Sequence, residues 1–168
     1  GGAIAKAFAR EGYVACVNRR ARNADQLEAL VQSIHAEGYE ARAYPADARI
    51  EDEVVAMVDA IERDVGPIEV AVFNIGANVN FSILDMTAQV YRKVWEMAAF
   101  AGFLMGREVA RRMVARQSGT TIFTGATASM RGGKGFSAFS GAKGALRMLA
   151  QSMARELGPK NIHVAHVI

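Results

Sequence analysis

The sequence predicts an α/β fold built on a doubly wound parallel sheet, and two features of its 168 residues support this. Helix-like and strand-like segments alternate, and strands joined by single helices form right-handed parallel units. The strand-like segments are short apolar runs without strict alternation, which is typical of a sheet that helices cover on both faces. No repeat or low-complexity linker interrupts the pattern, so we expect a single domain over residues 1–168.

Both ends of the chain fall inside this pattern. The chain begins with Gly1-Gly2, directly before a helix-like segment, and stops at Ile168 within a strand-like one. We therefore expect a fragment that lacks the first strand and the C-terminal part of the fold.

The composition narrows the classes of partner. The chain is 51% hydrophobic and 22% charged, and its net charge of +3 comes from dispersed Lys and Arg. We therefore expect no nucleic-acid partner, and since no apolar run is long enough to cross a bilayer, no membrane partner. Cys16 stands alone in an apolar run, so no disulfide framework is expected and a reducing, cytoplasmic location fits.

Apolar spacing and turn residues set the order of the elements. The pattern predicts helices Ala3–Arg10, Asp25–Ala36, Ile50–Val65 and Thr87–Arg116, and strands Tyr13–Val17, Glu40–Tyr44, Ile68–Phe73, Thr120–Thr124 and Asn161–Ile168. We expect Trp95 and the methionines of the long helix in the core or at an oligomer contact. In the last strand, the odd separation of His163 and His166 puts them on opposite faces, so we expect no metal site.

One further helix lies within Lys134–Pro159 and carries a polar seam. Four polar residues recur every four positions and share one face, next to an apolar stripe: Lys143, Arg147, Gln151 and Arg155, with Ala142, Leu146, Leu149, Met153 and Leu157 as the stripe. Ser137 is the predicted N-cap, and Gly158-Pro159 is the predicted stop. A lysine near the start of such a helix, after a Gly/Ser-rich loop, is where an α/β enzyme places its chemistry.

The loops after the strands are the expected binding sites, because ligands of open α/β sheets bind beyond the carboxyl ends of the strands. Gly1-Gly2 at a helix start allow backbone N–H groups to approach a pyrophosphate, although two glycines also form ordinary turns. Asn18-Arg19-Arg20 follow a strand, and an arginine there accommodates a 2′-phosphate, which favours NADP over NAD. The alternative for these arginines is an exposed basic turn.

Two more loops stand at strand ends. Asp47-Ala48 follow the strand that ends at Tyr44, where an N-terminal signal for the next helix is the alternative interpretation. Asn74-Ile75-Gly76 follow Phe73, and a glycine there lets a ligand approach the backbone. The alternative is a plain turn, since Asn and Gly are turn residues.

The order of these motifs resembles the short-chain dehydrogenase/reductase family over essentially the whole chain. The motifs are the helix that opens with glycine, VNRR, AD, NIGAN, the TG loop and the segment KGALRMLAQSMARELGPKNIHV. The resemblance implies a Rossmann-type fold in three α/β/α layers that binds NADPH. The cofactor positions that it implies are Gly1 in the glycine-rich loop, Arg19 at the 2′-phosphate, Asp47 and Ala48 beside adenine, Asn74 and Gly76 along the ribose, and Lys143 at the nicotinamide ribose.

Three catalytic positions depart from the family pattern. The resemblance implies a proton-donating tyrosine at Phe139, a serine at Ala126 and a relay asparagine at Ala98, so only Lys143 keeps its residue type. A one-residue shift in the loop lets Thr127 replace the serine. No tyrosine is near the lysine helix in sequence; the four are Tyr13, Tyr39, Tyr44 and Tyr91.

We therefore expect an NADP-dependent oxidoreductase that transfers hydride between NADPH and a small carbonyl or alcohol substrate, with an altered proton relay. Either Lys143 or a water on it supplies the proton, or the substrate needs no enzymic proton, or activity is lost while nucleotide binding remains. The last case is a pseudoenzyme or regulatory binding module. The resemblance also implies a homodimer or homotetramer formed through the helices at 87–116 and 138–158.

Overall fold

The computed structural model describes residues 1–168 and contains five strands and six α-helices. The chain forms two structural units, residues 1–67 and residues 68–168. Each unit has its own parallel sheet, which confirms the α/β class and the parallel pairing. One dinucleotide-binding domain over the whole chain stays a prediction.

The first unit alternates helices and strands in the predicted order. Its elements are α1 Gly2–Arg10, β1 Ala15–Arg19, α2 Ala24–His35, β2 Ala41–Pro45 and α3 Glu51–Asp64. Strands β1 and β2 are parallel neighbours, with Ala15 opposite Ala41 and Arg19 opposite Pro45. Small and branched side chains form the core of this unit between α1, α2 and the two strands: Ala5, Ala9, Ala15, Val31, Ile34 and Ala41.

Strand β1 lies two residues further along than the predicted Tyr13–Val17. The pairing with β2 continues to Arg19 because Asn18 extends it with its side chain, whose amide donates to the carbonyl oxygens of Tyr44 and Ala46 at 2.8 and 3.1 Å. Arg19 is therefore the last residue of the strand rather than part of the loop that follows.

The second unit contains the other three strands and the lysine helix. Its elements are β3 Val70–Phe73, α4 Ala88–Trp95, α5 Ala101–Arg116, β4 Gly119–Thr124, α6 Ser137–Leu157 and β5 Ile162–Val167. Strand β4 lies between β3 and β5, and all three are parallel. The core is dominated by fully buried side chains from α5, β4 and α6, including Leu104, Met113, Phe123 and Leu146.

The predicted single helix Thr87–Arg116 is interrupted by a π-helical turn at Glu96–Phe100. Thr87 is the N-cap of α4, and its hydroxyl oxygen accepts from the Val90 N–H group. The wide turn holds Ala98 and its neighbour in a buried cluster with α6, which is a packing demand that a 3.6-residue period does not reveal. Such π turns are frequent at functional sites.

An aromatic row, defined by Trp95, Phe100 and Phe103, runs along the outside of this helical segment. The rings of Trp95 and Phe100 are stacked with centroids 5.9 Å apart, and those of Phe100 and Phe103 are 6.0 Å apart. Trp95 is 42% exposed, so it is not a core residue of this chain. No helix is both long enough and apolar enough to cross a membrane.

Helix α6 differs from its prediction at its start. Phe136 takes the N-cap position and Ser137 is the first helical residue, so the predicted Ser137 cap is wrong. The stop is confirmed, because Gly158 follows the last helical residue. Within the polar seam, Lys143 is buried, and its amino group contacts carbonyl oxygens of Ile75 and Thr124.

Candidate active site

The side chain of Lys143 joins α6 to the loops that follow β3 and β4. Its amino group donates to the carbonyl oxygen of Ile75 at 3.0 Å and to that of Thr124 at 2.8 Å. The residue is only 3% exposed. An ammonium group carries three N–H donors, so one donor remains for another acceptor at this place.

Burial lowers the pKa of Lys143 from its ordinary value of 10.5, because removal from water disfavours the charged form. Its two hydrogen-bond acceptors are neutral carbonyls, and no carboxylate counteracts the burial. Lys143 therefore releases a proton more readily than an exposed lysine does.

The loop after β4 runs close to β5 and then turns. The Gly125 N–H group donates to the Val167 carbonyl oxygen at 2.7 Å, and Ala126 has an extended backbone before a single 3₁₀ turn at Thr127–Ser129. The buried Ser129 hydroxyl oxygen accepts from the Ala126 N–H group at 3.1 Å. Thr127 is exposed, so its use in place of the family's serine stays a prediction.

The sequence did not predict a role for Ser129, because the family's serine position falls on Ala126 and the neighbouring hydroxyl on Thr127. Its only sequence signal is a serine three residues after Ala126, at the end of a tight turn. Through its hydrogen bond with the Ala126 N–H group, this serine stabilises the backbone of the loop at Ala126.

Two other predicted positions lie on or against α6. Phe139 is partly buried one turn before Lys143. Ala98 is fully buried in the π turn and packs with Ala138 and Ala142. Neither side chain has a group that can give or take a proton.

Tyr91 comes near α6 in space although it is distant in sequence. Its hydroxyl oxygen lies 2.9 Å from the point that a Cβ atom on Gly141 would occupy. Gly141 is two residues from both Phe139 and Lys143, which is about half a helical turn, so it faces away from them. Tyr91 lines a cavity of about 470 Å³ between α4 and the preceding loop, and it does not replace the missing tyrosine.

In the first unit, the backbone start of α1 and the side chain of Arg19 are available to a ligand. Gly1 is exposed and precedes α1 without any side-chain cap, so the first N–H groups of this helix have no side-chain partner. The Arg19 guanidinium donates to the neutral Gln26 side-chain oxygen at 2.5 Å and forms no ion pair with a carboxylate. These features fit a pyrophosphate and a 2′-phosphate, respectively.

Asp47 is already engaged within its own loop. Arg49 binds its carboxylate through both side-chain and backbone donors, at 2.9, 2.5 and 3.1 Å, and the hydrogen bond from the Arg49 side chain is the main reason why the pKa of Asp47 falls to about 2. Its own N–H group donates to Glu53 at 2.7 Å. A contact of Asp47 and the partly buried Ala48 with adenine stays a prediction. In such a contact, Asp47 would accept hydrogen bonds through the carboxylate lone pairs that Arg49 does not use.

The loop after β3 has an open face. Gly76 is exposed, and no atom lies within 4 Å of the point where its Cβ atom would be. Asn74 is partly buried beside Ile75, whose carbonyl oxygen binds Lys143. This open backbone next to a lysine with one uncommitted N–H donor fits the ribose end of a dinucleotide.

The family model of the short chain dehydrogenases matches this chain over residues 1–168. The chain belongs to the short-chain dehydrogenase family. This assignment confirms the resemblance drawn from the loop order and the lysine helix, and with it the Rossmann-type fold class.

Among individual relatives, the chain is 32% identical to the 2-dehydro-3-deoxy-D-gluconate 5-dehydrogenase of Formosa agariphila over 98% of its own length and 62% of the relative's. It is 56% identical to a short-chain dehydrogenase of known structure from Rhodopseudomonas palustris, with a TM-score of 0.93 and 98% and 76% of the two chains covered. An NAD⁺-bound xylitol dehydrogenase structure gives 29% identity and a TM-score of 0.94, over 99% and 64% of the two chains.

Proposed function

We propose that the protein is an NADP-dependent oxidoreductase that interconverts a carbonyl and an alcohol on a small molecule, with an altered proton relay. The observation that carries this proposal is the buried Lys143 ammonium, bonded to the carbonyl oxygens of Ile75 and Thr124. A nicotinamide cofactor supplies or accepts hydride when bound. Lys143 would bind its ribose hydroxyls through the remaining N–H donor.

The cofactor contacts in the proposal are those that the family resemblance implies. Gly1 and the start of α1 bind the pyrophosphate, Arg19 binds the 2′-phosphate, and Asp47 with Ala48 lies beside adenine. Asn74 and Gly76 bound the ribose. A preference for NADP over NAD rests on Arg19, which forms no ion pair with a carboxylate. A related xylitol dehydrogenase has been solved with NAD⁺ bound, so the NADP preference is proposed from Arg19 of this chain and not from that relative.

The proton is the unusual part of the proposed reaction. Reduction of a carbonyl adds a hydride to carbon and a proton to oxygen, and Phe139, Ala126 and Ala98 have no proton to give. Lys143 is the candidate proton donor because burial lowers its pKa, so it gives up a proton more readily than an exposed lysine. The proton passes from Lys143, or from a water bound to it, to the alkoxide oxygen, and solvent then restores it.

A second candidate function is a nucleotide-binding pseudoenzyme or regulatory module. The apolar residues at Phe139, Ala126 and Ala98 favour it, because loss of general-acid catalysis typically costs ~10²–10⁴ in rate. The cofactor contacts would persist, since they use backbone groups, Arg19 and Lys143.

The substrate class in the proposal is a polyhydroxylated carbonyl or alcohol. The Formosa relative is a 2-dehydro-3-deoxy-D-gluconate 5-dehydrogenase, and a structural relative is a xylitol dehydrogenase. The chain spans 62% of the length of the Formosa relative, so the substrate belongs to the proposal for the whole protein.

The location and assembly in the proposal are cytoplasmic and homo-oligomeric. The lone Cys16 supports a reducing compartment. The aromatic row supports a contact between copies through the helices at 87–116 and 138–158, because Trp95 and Phe103 are 42% and 36% exposed. A dimer or tetramer would cover this apolar surface.

The test compares the parent protein with Phe139→Tyr/Ala126→Ser, which restores the usual residue types at two catalytic positions. The matched control is Phe136→Tyr/Ala128→Ser, which makes the same chemical changes three residues before Phe139 and two after Ala126. NADPH affinity and turnover over a panel that includes 5-keto sugar acids and a pentulose are measured for each.

An oxidoreductase predicts measurable parental turnover that the restoring pair raises and the control pair does not. Parental binding of NADPH without turnover, followed by a gain of turnover in the restoring pair, supports the pseudoenzyme. If neither the parent nor the restoring pair binds NADPH, both cofactor-based functions are wrong.

A further inference from the structure

The ring of His166 lies directly against Gly125 in the loop after β4. A Cβ atom on Gly125 would fall 2.4 Å from His166 Nε2 and 3.0 Å from the Ser129 hydroxyl oxygen. The imidazole therefore occupies the space that any larger residue at this position would need, and the loop approaches β5 this closely because the residue is glycine.

The Nε2 atom of His166 is buried and makes no hydrogen bond. Buried polar atoms without a partner are rare in folded proteins, and each one calls for a functional or structural reason. His163 lies three residues before His166 on the same strand and is exposed, so it serves as a comparison for His166 and its buried Nε2 atom.

The charges that face the ring are both positive. They are the Lys143 ammonium and the Arg147 guanidinium on α6, while the loop at 124–130 and the strand at 162–168 contain no Asp or Glu. Burial first, and then these two cations, lower the pKa of His166 from its usual 6.5. The imidazole is therefore neutral near pH 7.

Two hydrogen bonds connect the ring's neighbours to Lys143. Val167, next to His166, accepts from the Gly125 N–H group at 2.7 Å. Thr124, next to Gly125, accepts from the Lys143 amino group at 2.8 Å. A movement of the His166 ring against Gly125 would therefore shift a carbonyl oxygen that positions Lys143.

We propose that His166 is a positioning residue of the Lys143 site, whose neutral imidazole holds the Gly125–Ser129 loop and Lys143 in their working arrangement and whose protonation disrupts it. A proton on the ring places a third positive charge beside Lys143 and Arg147. The proposal rests on the oxidoreductase function, because Lys143 is the residue that His166 serves.

The test uses His166→Gln, which keeps a polar side chain that does not titrate, and His163→Gln as the matched control on the same strand. The ring of His166 is titrated by NMR in the parent and in Lys143→Met. NADPH affinity and NADPH-dependent turnover are measured from pH 5 to 8, a range about the usual histidine pKa.

We expect turnover of the parent to fall about tenfold per pH unit on the acid side, with a midpoint equal to the NMR pKa of His166 and below 6.5. His166→Gln removes this acid limb and lowers turnover across the pH range, because the imidazole that holds the loop is lost, whereas His163→Gln keeps both the limb and the turnover. Lys143→Met raises the NMR pKa of His166, because one of the two facing cations is removed.

An acid limb that persists in His166→Gln, or a His166 pKa that is unchanged in Lys143→Met, overturns the positioning role. If the parent binds NADPH without turnover, the same limb is read in the NADPH affinity. If it does neither, the oxidoreductase proposal fails, whereas the positioning role stands or falls on the NMR titration.

Discussion

The Lys143 amino nitrogen lies 2.8 Å from the Thr124 carbonyl oxygen and 3.0 Å from that of Ile75, so one buried lysine ties α6 to the ends of two neighbouring strands. The same bonds aim the remaining N–H donor and place a lysine of lowered pKa at the carboxyl edge of the sheet.

Lys143→Met keeps a long apolar stem but removes the donors. We expect turnover to fall by ~10²–10⁴ because proton delivery is lost, with weaker NADPH binding because a ribose contact is lost. Steady-state kinetics and fluorescence titration measure both. Lys134→Met, at an exposed lysine of the preceding loop, is the control, and parental turnover in Lys143→Met would show that the lysine has no catalytic part.

Arg19→Ala removes the proposed 2′-phosphate contact at the end of β1. Charged hydrogen bonds contribute about 1.5–3 kcal/mol, so we expect the NADPH affinity to fall about 10–100-fold while the NADH affinity stays unchanged. Arg22→Ala, an exposed arginine three residues on, is the control. Equal losses for the two cofactors, or no loss, would contradict the NADP preference.

Gly125→Ala places a Cβ atom 2.4 Å from the His166 Nε2 atom. Overpacking of this kind costs about 1–3 kcal/mol, so we expect a lower free energy of unfolding in a denaturant titration. Gly132→Ala is the control, because nothing lies within 4 Å of its Cβ position.

The double variant Gly125→Ala/His166→Ala separates a clash from a backbone requirement. We expect it to be less destabilised than the sum of the two single variants, because the smaller side chain at 166 vacates the space. Strict additivity of the two changes would mean that the ring and residue 125 do not compete for space.

Asp47→Asn tests the ion pair with Arg49 through pH. The pKa of Asp47 in the folded chain is about 2, below its usual 3.8, so the carboxylate stabilises the fold above pH 3.8 and this contribution is lost as the pH falls toward 2. We expect Asp47→Asn to lower the Tm at pH 7 and to have little effect near pH 2. Asp85→Asn, an exposed acid, is the control, and a pH-independent difference would rule out the ion pair as the cause.

Much of the fold followed from local pattern, because the spacing of apolar residues reports which faces are buried. The order of elements, the parallel pairing and the stop of α6 at Gly158 are of this kind. The π turn at Glu96–Phe100 and the added residues of β1 could not be predicted, because packing against α6 and the Asn18 side chain decide them.

The candidate site divides in the same way. The sequence by itself determined the family, the lysine at residue 143 and the apolar residues Phe139 and Ala126, because these depend on residue type and spacing alone. Only the tertiary structure decided that Lys143 is buried on two carbonyl oxygens, that Ser129 supports the loop and that His166 fills the space beside Gly125. Each of these contacts joins segments far apart in sequence or depends on how a loop folds back, so no local period or propensity encodes it.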